Sequence, residues 1–214
     1  MFRRRSQPHH GSVSSQLRRR RVVRRFTFAG LLVLALSAVL DRSGAFRYAG
    51  DDWRTFDHKS FVVTHVADGD TLNVRAPGGG GETRVRLLGI DTPELHSKSH
   101  GGSDYWAREA TRYTQSHAAG RAVTLRLEPT KTRDKYQRLL AYVYLDDGDN
   151  LTLDLVRDGA AYADRRFPHS MRSQFEQAEA EARKKGCGLW KGVTEAEMPE
   201  WRRKWLANRG RRER

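Results

Sequence analysis

The chain has 214 residues, enough for one globular domain with tails, and it carries a formal net charge of +14. The charge lies at the ends: residues 1–25 contain nine arginines and no acid, and residues 201–214 contain seven basic residues against Glu213. The single cysteine, Cys187, excludes an intrachain disulfide. Residues 26–200 contain 24 basic and 25 acidic residues, so binding a polyanion there requires individually placed charges.

Residues 1–45 are typical of an export segment. A basic arm (1–25) precedes a signal peptide or membrane anchor predicted over residues 26–45. Its apolar run, Phe26 to Leu40, has 15 residues, whereas crossing a bilayer takes about 20. Both interpretations stay open: a signal cleaved after residue 45, or an uncleaved anchor that makes the membrane a partner. Either predicts a domain that is secreted or held on the outer face of the cytoplasmic membrane.

Residues 46–58 are polar and unpatterned, which predicts a linker. From residue 60 the hydrophobic pattern predicts five strands and three helices. The strands cover residues 61–66, 71–75, 83–88, 122–127 and 139–145. The helices cover residues 103–119, with Ser103 or Asp104 as N-cap, residues 151–158, and a segment between an N-cap at Ser170 and Gly186. This order predicts an α+β fold, mainly β: a five-stranded OB-type Greek-key barrel with about three packed helices over residues 59–192.

Residues 193–214 form a basic C-terminal tail. Thr194 and Glu197 have the spacing of a capping box, and Pro199 suits the first turn of a helix. That helix would carry Trp201 and Trp205 on one face. Two interpretations stay open: a terminal helix that docks both indoles on the domain, or a basic-aromatic surface for membranes or nucleic-acid backbones.

Two charged stretches point to a metal site. Asp68-Gly69-Asp70-Thr71 places two carboxylates at a tight turn, a pattern that by itself is equally typical of an Asx turn. Arg86 lies in an apolar strand, where its charge requires a partner or a ligand. Further along, Pro93 favours an extended Thr92, whose carbonyl would lie beside the Asp91 carboxylate. Oxygen ligands of this kind suit calcium or magnesium rather than zinc.

A third stretch, Thr132 to Arg138, adds basic residues before the last barrel strand. Arginine offers paired donors that match the oxygens of a phosphodiester. Alone, this stretch is more typical of a solvated surface turn. Together with the two acidic stretches it supplies the parts of metal-assisted hydrolysis: arginines, a hard cation and a carboxylate base.

Taken together, the three stretches resemble the signatures of the staphylococcal nuclease family. The matching motifs are Asp68-Gly-Asp-Thr71, Arg86-Leu-Leu-Gly-Ile-Asp-Thr-Pro-Glu94 and Asp134-Lys-Tyr-Gln-Arg138, in the family's order and at its usual separations. Matches at residues 141–144 and 186–190 extend the resemblance to about residues 59–192. It implies an OB-type barrel and a calcium-dependent phosphodiesterase or endonuclease that hydrolyses DNA and RNA and leaves 3′-phosphates.

The resemblance also implies a role for each matching residue around the cation. Asp70 and Asp91 would bind Ca²⁺ through their carboxylates, and Thr92 through its backbone carbonyl. Glu94 would act as the general base on the attacking water.

A second group of matching residues would bind the substrate. Arg86 and Arg138 would hold the phosphate and stabilise its developing charge. Lys135 and Tyr136 match positions that contact a nucleotide phosphate. Gln137 departs from the family pattern, which has glycine in that turn.

Two other functions compete with a nuclease: a non-catalytic OB-type nucleic-acid-binding module, and a membrane-anchored scaffold. A pure binder gains nothing from acids clustered near phosphate, so the pattern favours the enzyme. No protein partner is evident. Because Arg138 is the last predicted catalytic residue, we expect the chemistry to be independent of residues 194–214.

Overall fold

The structure, a computed structural model, describes residues 49–97, 101–129 and 131–212. The predicted basic arm (1–25) and the predicted signal peptide or anchor (26–45) lie outside these residues. Among the residues that are described, no helix combines the length and the apolar character needed to cross a bilayer. Export and a membrane partner therefore stay predictions.

A closed barrel forms the centre of the domain. The described residues contain seven strands: β1 Lys59–Asp68, β2 Thr71–Arg75, β3 Thr83–Leu87, β4 Ile90–Asp91, β5 Ala122–Leu127, β6 Leu139–Leu145 and β7 Tyr162–Ala163. Five of them close in the order β1-β2-β3-β6-β5, with β3 and β6 parallel and the other neighbours antiparallel. The predicted five-stranded barrel with helices is confirmed.

The alternation of apolar and polar residues along these strands produces the barrel core. Leu72 and Val74 of β2 are completely buried, as is Leu125 of β5, whereas its neighbour Arg126 is exposed. Burying an aliphatic side chain of this size stabilises a fold by about 1.5–3 kcal/mol. The barrel interior is therefore a packed core, and the charged residues are left to its ends and outer face.

Helices surround the barrel. Within the described ranges they are α1 Ala49–Phe56, α2 Ala107–Ala118, α3 Leu151–Arg157, α4 Arg172–Lys185 and α5 Glu200–Arg212, with short 3₁₀ helices at Gly188–Lys191 and Glu195–Glu197. Gly186 ends α4 with a left-handed φ of 64°, as predicted. The capping box of Thr194 and Glu197 is also present. The three predicted domain helices correspond to α2, α3 and α4.

Two predicted helix caps are wrong. The residue before α2 is Trp106, with a φ of 69° and no side-chain cap, while the Asp104 carboxylate accepts the backbone N–H of Glu94 at 3.0 Å. The Ser170 hydroxyl likewise does not cap α4 but donates to Glu128 at 2.5 Å. In both places a tertiary acceptor or donor competes with the local cap, which the sequence pattern cannot show.

Helix α1 corrects the prediction of an unpatterned linker over residues 46–58. Its residues Trp53 and Phe56 pack against the barrel core, and the Phe56 ring lies 5.5 Å from that of Phe61. Asp52 forms an ion pair with Arg133 at 2.7 Å. The helix has only eight residues, and its three apolar residues, Ala49, Trp53 and Phe56, cover only two turns, too short a segment to be recognised from its pattern.

A two-stranded sheet outside the barrel was not predicted either. β4 and β7 pair antiparallel, with Ile90 opposite Ala163 and Asp91 opposite Tyr162. Strands of two residues are too short to show any alternation. This sheet fixes the backbone of Asp91.

A second, smaller apolar cluster lies under the C-terminal residues. Its buried members are Tyr162, Leu189 and Met198, and Trp201 and Leu206 of α5 pack against them. The tail is therefore a helix docked on the domain, as in the first of its two predicted interpretations, although only Trp201 of the two indoles packs against this cluster. Trp205 lies against Arg165 instead.

Candidate active site

The turn between β1 and β2 carries Asp70. The backbone N–H of Asp70 donates to Oδ1 of Asp68 at 3.1 Å, so the Asx turn weighed from the sequence is present. The Asp70 carboxylate itself is buried, at 3% exposure, and faces residues far along the chain. Its Oδ2 accepts the backbone N–H of Thr92 at 3.0 Å and the Thr92 hydroxyl at 3.1 Å. The turn thus brings the first and second acidic stretches together.

Gly69 allows this close approach. A Cβ atom at Gly69 would lie 2.9 Å from side-chain atoms of Thr92, closer than real Cβ contacts occur. Its carbonyl also accepts the buried Thr114 hydroxyl of α2 at 2.6 Å. Any larger residue at position 69 would push Thr92 away from Asp70, so the glycine serves the geometry of the site.

Arg86 joins the two predicted cation-binding carboxylates. One of its terminal nitrogens, Nη1, contacts Oδ1 of Asp70, and the other, Nη2, donates to Oδ1 of Asp91 at 2.8 Å. The Arg86 side chain is only 13% exposed. Arg86 therefore has two carboxylate partners for the charge that it carries within an apolar strand. A single guanidinium contacts both Asp70 and Asp91.

Asp91 has two further donors that the sequence analysis did not identify. Arg166, just after β7, donates from Nη2 to Oδ1 of Asp91 at 3.0 Å. Trp201 of α5 donates from its indole Nε1 to the other oxygen, Oδ2, at 2.8 Å. The C-terminal tail thus reaches a predicted metal ligand, while the expected independence of the chemistry from residues 194–214 stays a prediction.

Arg138 approaches the same carboxylates from the loop before β6. Its Nε donates to Oδ2 of Asp134 at 2.7 Å, and its Nη1 donates to the Thr71 hydroxyl at 3.3 Å. Thr71 in turn donates to Oδ1 of Asp70 at 3.1 Å. Arg133, in the same loop, is held by Asp52 of α1. The loop is thus tied both to α1 and to the site.

Lys135 and Tyr136 lie at the tip of that loop. The Lys135 ammonium is 4.9 Å from the centre of the Tyr136 ring, and the Arg138 guanidinium is 5.5 Å from it. Tyr136 is 68% exposed, one of the two most exposed large apolar side chains of the described residues. An exposed ring flanked by two cations is suited to contact a nucleotide.

Glu94 lies in the loop after β4. Its pKa is raised above the usual range, first by partial desolvation and then by repulsion from the carboxylates of Asp68 and Asp91, while Arg86 opposes the shift. Glu94 therefore lies close enough to Asp68, Asp91 and Arg86 to interact with their charges. Hydrogen bonds and ion pairs join Asp70, Arg86, Asp91 and Thr92, and Arg138 is linked to them through Thr71. Lys135 and Tyr136 lie beside Arg138, and Glu94 interacts electrostatically with Asp91 and Arg86.

Comparisons with known proteins show the family of the chain. Residues 84–192 match the family model described as "Staphylococcal nuclease homologue". The chain is 33% identical over 168 residues to the thermonuclease of Staphylococcus intermedius, an alignment that covers 75% of this chain and 95% of that protein. The chain belongs to the staphylococcal nuclease family.

Other relatives point the same way. The thermonuclease of Staphylococcus hyicus is 29% identical over 163 residues, covering 76% of this chain and 92% of that protein. An uncharacterized endonuclease of Haemophilus influenzae is 32% identical over 146 residues, covering 68% of this chain and 74% of that protein. Membership of the staphylococcal nuclease family, with relatives of these names, supports a nuclease activity for the chain.

Sequence reasoning missed two residues that donate to Asp91, namely Arg166 and Trp201. Arg166 is inside residues 84–192, whereas Trp201 lies beyond them. The only local signal for Trp201 was the predicted docking helix, and nothing in its spacing indicated Asp91 as the partner. In this member of the staphylococcal nuclease family, one of the hydrogen-bond donors to Asp91 therefore comes from a residue outside the matched segment, Trp201.

Proposed function

We propose that the protein is a calcium-dependent phosphodiesterase that hydrolyses the backbone of DNA and RNA. The observation that carries the proposal is the Arg86 guanidinium held between the carboxylates of Asp70 and Asp91. A second guanidinium, Arg138, is linked to Asp70 through Thr71. Two acids and two arginines in one place are what metal-assisted phosphoryl transfer requires, and a packed core has no use for them.

The donor chemistry fits a hard cation. Asp70 and Asp91 offer carboxylate oxygens, and Thr92 contributes a backbone carbonyl from a residue whose N–H contacts Asp70. Among the described residues, no group of three or more His, Cys, Asp or Glu side chains is placed to hold a metal ion. Two carboxylates and a carbonyl, completed by water and substrate, suit calcium or magnesium and do not suit zinc, which prefers nitrogen and sulfur.

Calcium, when bound, supplies positive charge that draws electron density from the phosphate and makes an adjacent water more acidic. Glu94 takes the proton of the attacking water. Its raised pKa makes it a stronger base than an ordinary glutamate. Arg86 and Arg138 donate to the phosphate oxygens as negative charge develops on them.

The loop tip extends the site toward the substrate. Lys135 and Tyr136 are placed to contact a neighbouring nucleotide, the lysine by charge and the exposed ring by stacking. Charge and stacking contacts of this kind select neither a base nor a sugar, so they are compatible with both DNA and RNA. Cleavage that leaves a 3′-phosphate breaks the bond between phosphorus and the 5′ oxygen.

A direct experiment tests this function. Purified protein is incubated with supercoiled plasmid, single-stranded DNA or RNA, with calcium or with an excess of chelator. We expect cleavage of all three with calcium and none with chelator, and 3′-phosphate ends on the products. Binding without cleavage under calcium would instead favour the non-catalytic nucleic-acid-binding module.

We also propose that the domain acts outside the cytoplasm. The basic arm, the apolar run from Phe26 to Leu40 and the small residues after it support this proposal. Protease added to intact spheroplasts should digest the domain, and a mature species beginning near Phe46 would indicate cleavage rather than anchoring. A domain that stays protected and soluble in the cytosol would contradict export.

A further inference from the structure

Helix α5 is attached to the domain by a buried ion pair. Arg202 has no exposed surface and donates from Nη1 and Nη2 to the two oxygens of Glu179 on α4, at 2.6 and 3.0 Å. Glu179 is itself 1% exposed. A paired contact of this kind fixes both the position and the rotation of the helix around Arg202.

The attachment point is connected to the backbone of Asp91. Oε1 of Glu179 also accepts the backbone N–H of Ala163 at 3.0 Å. Ala163 belongs to β7 and pairs with Ile90, the residue just before Asp91 in β4. The same carboxylate therefore holds α5 and the small sheet that carries Asp91, which sets their relative position.

Trp201 is next to Arg202 in the chain, and the position of α5 brings its side chain to Asp91. Its indole Nε1 donates to Oδ2 of Asp91 at 2.8 Å, while Arg166 donates to Oδ1 at 3.0 Å. The Arg166 guanidinium lies 4.9 Å from the Trp201 ring centre and is oriented by Asp164 at 2.8 Å. Both oxygens of Asp91 are thus held by donors from outside its own loop.

We propose that Trp201 is a positioning residue of the cation site: its indole N–H fixes the plane of the Asp91 carboxylate, so that α5 is part of the active site. The proposal rests on the function proposed above. The terminal torsion of an aspartate is broad and leaves its oxygens free to rotate. With Arg86 and Arg166 on Oδ1 alone the plane could still turn, whereas Trp201 on Oδ2 stops that rotation.

A neutral donor is suited to this task. An indole N–H orients a carboxylate without adding charge, whereas a further arginine would cancel the negative charge that attracts a cation. The charge of Arg166 is already matched by Asp164. Residues that hydrogen-bond a ligating carboxylate tune metal affinity, and their loss typically weakens it about 10–100-fold.

The test is calcium binding by isothermal titration calorimetry, with CaCl₂ added to metal-free full-length protein. Trp201→Phe keeps an aromatic ring but removes the N–H, and we expect its Kd for calcium to rise about tenfold. Trp205→Phe is the matched control, because Trp205 lies on the same helix and packs against Arg165 rather than Asp91. Its calcium affinity should equal that of the wild type.

Two further measurements separate positioning from general destabilisation. The calcium-induced rise in Tm, taken within each variant, should be smaller for Trp201→Phe than for Trp205→Phe, whatever their Tm values without calcium. Saturating calcium should restore the kcat of Trp201→Phe to near the wild-type value.

The outcomes are distinguishable. Equal affinity of wild type and Trp201→Phe would overturn the positioning role, and tighter binding by the variant would show that the indole competes with the cation instead. A wild-type protein that binds no calcium would overturn the proposed function itself, and the positioning role with it.

Discussion

Arg138 donates from Nη1 to the Thr71 hydroxyl over 3.3 Å, although 67 residues separate the two in sequence. The same hydroxyl donates to Oδ1 of Asp70 at 3.1 Å. A hydroxyl has one proton and two lone pairs, so it makes both hydrogen bonds at once. Thr71 therefore ties an arginine of the β5–β6 loop to a carboxylate of the β1–β2 turn.

Removing this hydroxyl should loosen both groups without changing the volume of the side chain. We expect Thr71→Val to lower kcat/KM roughly tenfold, which corresponds to about 1.4 kcal/mol, the scale of one or two hydrogen bonds. Thr111→Val is the matched control, because the buried Thr111 hydroxyl bonds only to the Ala107 carbonyl of its own helix. Steady-state kinetics on a short labelled oligonucleotide measures the effect, and an equal loss in both variants would speak against the link.

We expect that lysine cannot take over the function of Arg86 or Arg138. Arg86 contacts Asp70 and Asp91 through two different nitrogens, and a lysine has only one. We expect Arg86→Lys and Arg138→Lys to lose on the order of a hundredfold or more in kcat/KM. Arg84→Lys, an exposed position on the same strand as Arg86, should stay close to wild type. Full activity in Arg86→Lys would show that its charge suffices and that the paired geometry is irrelevant.

The sequence predicts the barrel well because each of its strands has one buried face. Thr71–Arg75, Ala122–Leu127 and Leu139–Leu145 have the bounds that their apolar pattern indicates. The need of Arg86 for a partner or a ligand could also be inferred, since its charge lies inside an apolar strand, but its pairing with Asp70 and Asp91 could not.

What the sequence does not predict are contacts made across long separations by few residues. β4 and β7 have two residues each, and Trp201 lies 110 positions from Asp91. Neither feature produces a period or a motif. The wrong N-cap at Ser170 has the same origin, because its local pattern fits a cap but Glu128 offers a tertiary acceptor.

Gln137 has a left-handed backbone, with a φ of 64°, in the turn before Arg138. This conformation costs a residue with a side chain about 1–2 kcal/mol, and glycine adopts it freely but loses more entropy on folding. We expect Gln137→Gly to raise the free energy of unfolding by about 0.5–1 kcal/mol. Gln137→Ala is the control and should bring no gain, since alanine keeps the strain. Urea denaturation measures both, and a glycine variant no more stable than the alanine variant would contradict the prediction.

Acid should destabilise the domain through Glu128 and His169. Burial raises the pKa of Glu128, but hydrogen bonds from Ser170 and Tyr142 outweigh it and leave the pKa lowered. Burial also lowers the pKa of His169. Both groups therefore bind protons more weakly when folded, so their contribution to stability is complete above about pH 6.5 and is lost as the pH falls.

Glu128→Gln separates the two parts of this acid response. Without the carboxylate, the loss of stability below about pH 5 should become shallower. The loss near pH 6 that comes from His169 should remain and become steeper, because the Glu128 charge raises the pKa of His169. Glu181→Gln, at an exposed position of α4, should leave the profile unchanged. Urea denaturation from pH 7.5 to 3.5 measures the slopes, and identical slopes in Glu128→Gln and wild type would contradict this account.

The central claim is that Glu94 is the base of a calcium-dependent hydrolysis. Its test is single-turnover cleavage of labelled single-stranded DNA over a calcium series, with wild type, Glu94→Gln and the exposed control Glu109→Gln. Wild type and Glu109→Gln should cleave only with calcium. Glu94→Gln should bind the DNA but cleave it slower by a factor of about 10²–10⁴ at every calcium concentration. Wild-type cleavage that survives chelator, or a folded Glu94→Gln that cleaves at the full rate, would contradict the mechanism.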